Sequence, residues 1–470
     1  MPICDLVIRG GTPVIPAGFA DYPDGLADLA VVDGRIVEIA PEIAGTGSEE
    51  IDARGLHLFP GLIDAHVHFN EPGRTDWEGF ATGTRALAAG GVTTFFDMPL
   101  NAHPPVLDGP SFDLKLAAAR TSSLVDFGLW GGLTPGNLDR LDELAARGVV
   151  GFKAFMSNSG IDDFPAADDL TLYEGMRRAA QMDCIVAVHA ENDQITGHLA
   201  RRAVARRQTT ARDYLASRPA IAEHEAIARA ILFARDTGCR LHIVHVSTGH
   251  GVELVAAARA EGVDVSCETC PHYLVLTEDD LERLGALAKC APPLRSPAEQ
   301  EQLWRQLANG QLPMIASDHS PAPAAMKTGP DFFQLWGGIS GCQSTLQLLL
   351  TEGYERRRLP LATIAERTSR YVARRFGLPH KGRMEVGADA DLALVDLGAS
   401  SVLRPADLLY RHQHSPYSGR RLCGRVVQTL VRGTTVMREG AIVSPPVGQL
   451  VVPDRSAAAG EREPAPLIGG

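Results

Sequence analysis

What the sequence lacks excludes several classes of protein. No apolar run approaches the length needed to span a bilayer, so membrane insertion is not expected. The opening "MPICDLVIRGG" has no basic segment followed by a long apolar stretch, and no secretory leader is read there. Basic residues number 45 against 57 acidic ones, a formal net charge of −12, and no long basic run offsets the difference. Nucleic acid and anionic membrane surfaces are therefore not expected partners. The eight cysteines are too scattered for a disulfide framework, which points to a reduced, cytoplasmic setting. Cys267 and Cys270 form a CxxC without a second pair to complete a zinc ribbon, so they are read as core thiols. Neither a G-x-S-x-G elbow nor an H-E-x-x-H occurs, and "GTGSEE" has Glu50 where a dinucleotide fingerprint needs its third glycine.

What is present has a clear rhythm. The 470 residues suit one large α/β barrel with a smaller appended domain. Eight apolar, β-branched-rich runs recur at 58–68, 91–98, 127–133, 149–156, 184–190, 240–247, 263–270 and 313–318. Helix-like segments such as "NLDRLDELAARG" and "HEAIARAILFARDTG" separate most of them. Five of these segments end in a glycine just before the next strand: Gly90, Gly148, Gly238, Gly262 and Gly310. Glycine accepts the left-handed conformation that closes a helix, so the pattern predicts a (β/α)8 TIM barrel of the α/β class. Short strand-like runs at both ends, "DLAVVDGRIVEIA" and "VVQTLVRGTTVMREGAIV", predict a small β-domain built from the two termini. The expected boundaries are 1–57 and 381–450 for the terminal β-domain, 58–380 for the barrel and 451–470 for a flexible tail.

Barrel enzymes place their chemistry at the C-terminal ends of the strands. Those ends carry His66 and His68 on strand one, Lys153 on strand four, His189 on five, His245 on six and Asp318 on eight. Alternation along a strand turns His66 and His68 the same way, into the mouth. Imidazole and carboxylate ligate divalent transition metals, and this set suffices for two ions. An ammonium cannot ligate, so Lys153 needs another reading. Burial and nearby cations free its amine, which takes up carbon dioxide as a carbamate that bridges two metals and adds anionic charge. His57, His103, His198, His242, His250 and His380 are read as ordinary core or surface residues. The Gly-, Pro- and Asp-rich segments "NAHPPVLDGP" and "SNSGIDDFPAADD" follow strands two and four and are expected to form mobile loops over the site.

With these residues in view, the chain resembles the cyclic amidohydrolases, and among them the allantoinase branch. The resemblance runs from "VIRGG" to about residue 450 and is most specific in "PGLIDAHVHFNEPGR", "GGVTTFFDMPLN", "GFKAFM", "CETCPHYL", "KCAPPLR", "ASDHSP" and "WGGISG". It implies a distorted barrel with a β-sandwich formed from both termini, a binuclear centre, commonly zinc, and often a homotetramer. It also implies the ligand set His66, His68, N6-carboxylated Lys153, His189, His245 and Asp318. Dihydroorotases usually place an arginine where Asn70 stands, and dihydropyrimidinases a tyrosine where Asn158 stands. Both departures point to an uncharged cyclic ureide as the small-molecule substrate, although Arg74 keeps a cation near the mouth. In this reading Asp318 is the catalytic base, and Asn101, Asn158 and the backbone around Cys290 and Ala291 read the ring's polar edges. A hydantoinase, dihydropyrimidinase or dihydroorotase activity, or a silent barrel scaffold, stays open as an alternative.

Overall fold

Each of the eight apolar runs becomes a parallel strand. The computed structural model describes residues 4–15 and 25–455. Its barrel strands are Leu62–Val67, Val92–Asp97, Asp126–Leu129 with Gly131–Gly132, Phe152–Phe155, Ile185–His189, Arg240–Ile243, Val265–Thr269 and Met314–Ile315. Neighbours in sequence are neighbours in space, all parallel. The third stave breaks at Trp130, yet pairing continues across the break because Val150 donates to the Leu129 carbonyl at 2.9 Å and Gly131 to that of Gly151 at 3.0 Å. The ring closes where Val67 bridges His319 and the His68 amide donates to the His319 carbonyl at 2.8 Å.

Strands buried on both faces must be apolar on both, and the two faces feed separate clusters. In Ile185–His189, Val186 and Val188 join the outer cluster under the helices, whereas Ile185 and Ala187 join the inner one with Ile63, Ala65, Phe96 and Met314. His189 continues the inner series and so reaches the mouth. Strand one needs a further device. Its register against Val92–Asp97 shifts between Asp64 and Val67, a bulge that re-aims the side chains on either side of it.

Helices cover the outside, and most close as expected. The helix Ala220–Thr237 ends on Gly238 at φ +70° and Pro297–Asn309 on Gly310 at φ +89°. Phe80–Ala89 differs. Gly90 stays at φ −87°, with its amide still bonded to Ala86 and Leu87, and the left-handed turn falls on Gly91.

Strands from both ends of the chain share one nine-stranded sheet, in which His57–Pro60 lies between Cys4–Pro13 and Leu392–Val402. His57–Pro60 runs on directly into barrel strand one. Lys381 ties this sheet to the barrel, contacting Asp126 at 2.5 Å, Asp389 at 2.8 Å and Asp391 at 2.7 Å, while Arg432 also pairs with Asp126. The expected tail starts in an ordered way, since the Val451 amide donates to Phe127 and that of Asp454 to Gly377, both at 2.8 Å. Residues 456–470 lie outside the described residues. Among the described residues no helix is long and apolar enough to cross a membrane.

One buried ion pair braces the second strand below the mouth. Lys115 and Asp97 are both fully buried and in contact, and Asp97 also accepts the Phe69 amide at 2.7 Å. Lys115→Met is expected to leave Asp97 uncompensated and to cost about 3–5 kcal/mol, read as an earlier midpoint in denaturant unfolding. An unchanged midpoint would show that the pair adds nothing.

Candidate metal centre

The strand ends bring five of the six expected ligand side chains into one cluster, with Lys153 buried beside it. His66 Nε2 lies 3.3 Å and His68 Nε2 3.4 Å from Asp318 Oδ1. Across the mouth, His189 Nδ1 lies 3.1 Å from His245 Nε2. The rings of His66 and His245 are 5.4 Å apart, joining the two halves. His245 and Asp318 sit at φ +41° and +45°, a left-handed backbone uncommon among non-glycine residues though more frequent for His and Asp.

Partners outside the cluster set which nitrogen of three of the rings, those of His66, His68 and His189, faces inward. His66 Nδ1 is taken up by Glu268 Oε1 at 2.6 Å, and His68 Nδ1 by the Leu100 carbonyl at 3.2 Å. His189 Nε2 is held by Glu191 Oε2 at 2.8 Å, a carboxylate that also pairs with Arg218. The His189 ring stacks on Phe155 at 4.6 Å and 15°. Such outer partners orient ligating imidazoles and fix their tautomers.

Burial dominates the electrostatics. It pulls His66 and His245 well below the ordinary imidazole range and lowers His189, leaving these rings neutral with a lone pair to offer. Burial also brings Lys153 down to about 7 and pushes Glu268 up to about 8. Lys153 Nζ is buried without a hydrogen-bond partner among the described residues, beside the Phe155 ring at 4.9 Å.

These features fit a metal. Two ligands at about 2.0–2.1 Å from one tetrahedral ion stand about 3.3–3.4 Å apart, close to the spacings seen here. His66, His68 and Asp318 could hold one ion. His189 and His245 could hold a second, with Lys153 placed to serve both once converted to an anion. Another acidic group, Asp126 with Asp389 and Asp391, is already paired with Lys381, Arg432 and Arg35.

The mouth opens into a cavity of about 450 Å³. Asn101, Asn158, Cys290 and Ala291 line it, as do Arg218, Lys289 and the stretch from Phe333 to Gly338. Asn158 spends its side-chain oxygen on the Gly160 amide at 2.7 Å, within its own turn. Asn70 is fully buried and not among the lining residues, 3.5 Å from the Pro321 carbonyl. Arg74 is not among the lining residues. Its guanidinium donates to the Asn101 carbonyl at 2.8 Å and pairs with Asp163 at 3.3 Å. His103 also reaches Asp163, at 2.7 Å, so the two expected loops are joined to one another.

Cys267 and Cys270 are buried and unbridged. His242 bonds Ser266 at 2.8 Å and Glu268 at 3.2 Å inside the barrel. The sequence reading passed over Glu268, Glu191, Arg218 and Lys289. Glu268 stands inside an otherwise uncharged strand, and Glu191 two residues after a ligand histidine. Either position is a signal, because a buried carboxylate needs a partner. Glu268→Gln is expected to weaken metal affinity by about 10- to 100-fold, measured by competition with a chelator. Equal affinity would remove Glu268 from the centre.

A parallel barrel whose mouth gathers buried imidazoles, one carboxylate and a desolvated lysine is the frame of a metal-dependent hydrolase. The Amidohydrolase family profile matches residues 57–436. An allantoinase of Rubrobacter xylanophilus is 61% identical over 98% of this chain and 100% of its own, and one of Deinococcus radiodurans 55% over 96% and 99%. The solved L-hydantoinase of Arthrobacter aurescens superposes with a TM-score of 0.92 at 35% identity, covering 96% of this chain and 100% of that one. A dihydropyrimidinase from Brevibacillus agri gives 0.87 at 32% identity, covering 95% and 98%. The chain belongs to the amidohydrolase family, on its allantoinase branch.

Proposed function

We propose that this protein opens the hydantoin ring of allantoin by hydrolysis, giving allantoate. The observation that carries the reading is the convergence of His66, His68, His189, His245 and Asp318 on one cavity, in a chain 61% identical to an allantoinase along its whole length. Bound at these residues, a pair of divalent ions supplies Lewis acidity and a water acidified toward neutral pH.

The chain's own groups do the rest. Asp318, at the cavity floor, accepts the proton of the attacking water as a carbon–oxygen bond forms. It returns that proton to the ring nitrogen as the carbon–nitrogen bond breaks. Glu191, held by Arg218, and Glu268 keep His189 and His66 turned inward. Asn101, Asn158 and the backbone at Cys290 and Ala291 face the space the ring would fill, and Arg74 steadies the loop that carries Asn101.

Zinc suits this mixture of imidazole and carboxylate. Carboxylation of Lys153 is supported by its buried Nζ, which has neither solvent nor a partner among the described residues, and by the shortage of anions among neutral histidines. We further assign the terminal sheet to a β-sandwich domain, the setting to the reduced cytoplasm and the assembly to a homo-oligomer.

Hydantoin opening is the second reading, favoured by the 0.92 superposition on a hydantoinase. Ring opening of allantoin, hydantoin, dihydrouracil and dihydroorotate, assayed side by side with metal-replete protein, tests both. Allantoin should give the highest kcat/KM, and a higher value for another ring would transfer the assignment to that ring.

A further inference from the structure

We infer that Lys289 and Lys327 are positioning residues that hold the cavity wall opposite the metal ligands and so set specificity for the substituent carried by the ring. This rests on the ring-opening reading above.

The wall is the stretch from Phe333 to Gly338, in the sequence "DFFQLWGG". No helix or strand runs between Thr328 and Gly338, and few backbone hydrogen bonds hold it: the Phe332 amide donates to the Thr209 carbonyl and the Trp336 amide to that of Met326, both at 2.9 Å. Two ammonium groups add to these. Lys289 Nζ donates to the Phe332 carbonyl at 2.7 Å and the Leu335 carbonyl at 2.5 Å. Lys327 Nζ donates to the Gly338 carbonyl at 2.6 Å and reaches those of Trp336 at 3.4 Å and Ala286 at 3.3 Å. The Lys289 carbonyl in turn accepts the Gly338 amide at 2.7 Å, which locks the far end of the wall to the same residue.

Neither lysine forms an ion pair among the described residues, and every hydrogen bond found for either ammonium goes to a carbonyl. Lys289 lies against the rings of Tyr214 at 4.8 Å and Phe332 at 5.3 Å, which adds cation–π attraction but no counter-charge. Burial lowers Lys289 to about 8 and Lys327 to about 7, so both pay for their position. A leucine or methionine would fill either space without that desolvation. What the cations supply is several charge-assisted hydrogen bonds to the backbone of a segment that has few of its own.

Chemistry and wall are mechanically separate. The proposed metal ligands stand on strand ends fixed by the barrel, whereas the wall is held by a few backbone hydrogen bonds and by the carbonyl contacts of the two lysines. Loosening it should therefore weaken ground-state binding and selectivity while sparing the chemical step.

The test compares wild type with Lys289→Met, Lys327→Met and the corresponding arginine variants, all metal-replete. Steady-state kinetics are measured on allantoin and on a hydantoin with a bulky 5-benzyl substituent. Both methionine variants should raise KM for allantoin by about tenfold or more, with kcat within about threefold of wild type. The preference for allantoin over the bulky ring should fall, and the arginine variants should recover most of the loss because they keep a charged donor.

Unchanged KM and preference would overturn the inference. So would a fall in kcat that tracks metal content, since the lysines would then be supporting the fold alone. If Lys327→Met yields no metal-replete protein, Lys289→Met decides. Failure of the functional reading is separable: wild type would then prefer another cyclic amide, and the comparison is repeated on that ring.

Discussion

Lys153→Met is expected to lower kcat/KM for ring opening by about 10⁴-fold or more, the scale seen when a nucleophile-generating group is lost. The argument is one of charge. Burial holds His66, His189 and His245 below the ordinary imidazole range, and Asp318 is the one carboxylate proposed as a direct ligand, so without the carbamate the ligand shell of two divalent ions would carry a single negative charge. Methionine fills the same space and cannot be carboxylated. Lys153 Nζ has no hydrogen bond to lose among the described residues, so the stability of the metal-free protein should hold or rise. Kinetics, metal content and denaturant unfolding measured together separate these effects. Wild type stripped of metal and then reloaded should regain activity faster with bicarbonate than in buffer freed of carbon dioxide. A metal-replete Lys153→Met protein with full activity would remove the carbamate from the mechanism.

Asp318→Asn comes second in size. The change is nearly isosteric but removes the carboxylate charge we propose as proton acceptor and ligand, 3.3 Å from His66 Nε2 and 3.4 Å from His68 Nε2. Loss of general acid–base assistance should reduce kcat by about 10²- to 10⁴-fold. KM for allantoin should move by far less, because the polar edges of the cavity are untouched. At saturating metal the kcat deficit should persist. Recovery of wild-type kcat on adding metal would make Asp318 a ligand only, and the base would have to be sought elsewhere in the mouth.

Much of the candidate centre could be read from local pattern. The ligands lie at the ends of short β-branched runs, and a parallel barrel sends all its strand ends to one face. His189 shows why this works. Its place in the inward series of its strand follows from a period of two and needs no knowledge of distant residues. Strand one was harder to read. Strict alternation along it ignores the bulge between Asp64 and Val67, and that bulge depends on pairing with a strand some thirty residues away.

The second layer of the site was less visible. Glu268 reaches His66 across a sequence separation of 202 residues, and Arg218 reaches Glu191 across 27. Arg74 shows the same limit in reverse. Two residues past a turn near the mouth it reads as a cation for substrate, yet Asp163, 89 positions away, takes up its charge.

By itself the amino-acid order determined the number and direction of the strands, the residues at their ends and the donor types those residues bring to the mouth. These follow from short-range periodicity and from the chemistry of individual side chains. The tertiary structure alone decided which nitrogen His66, His68 and His189 turn inward, which loops meet and which carbonyls the two lysines grip. Each of those depends on contacts between segments far apart in sequence, which exist only once the barrel has closed.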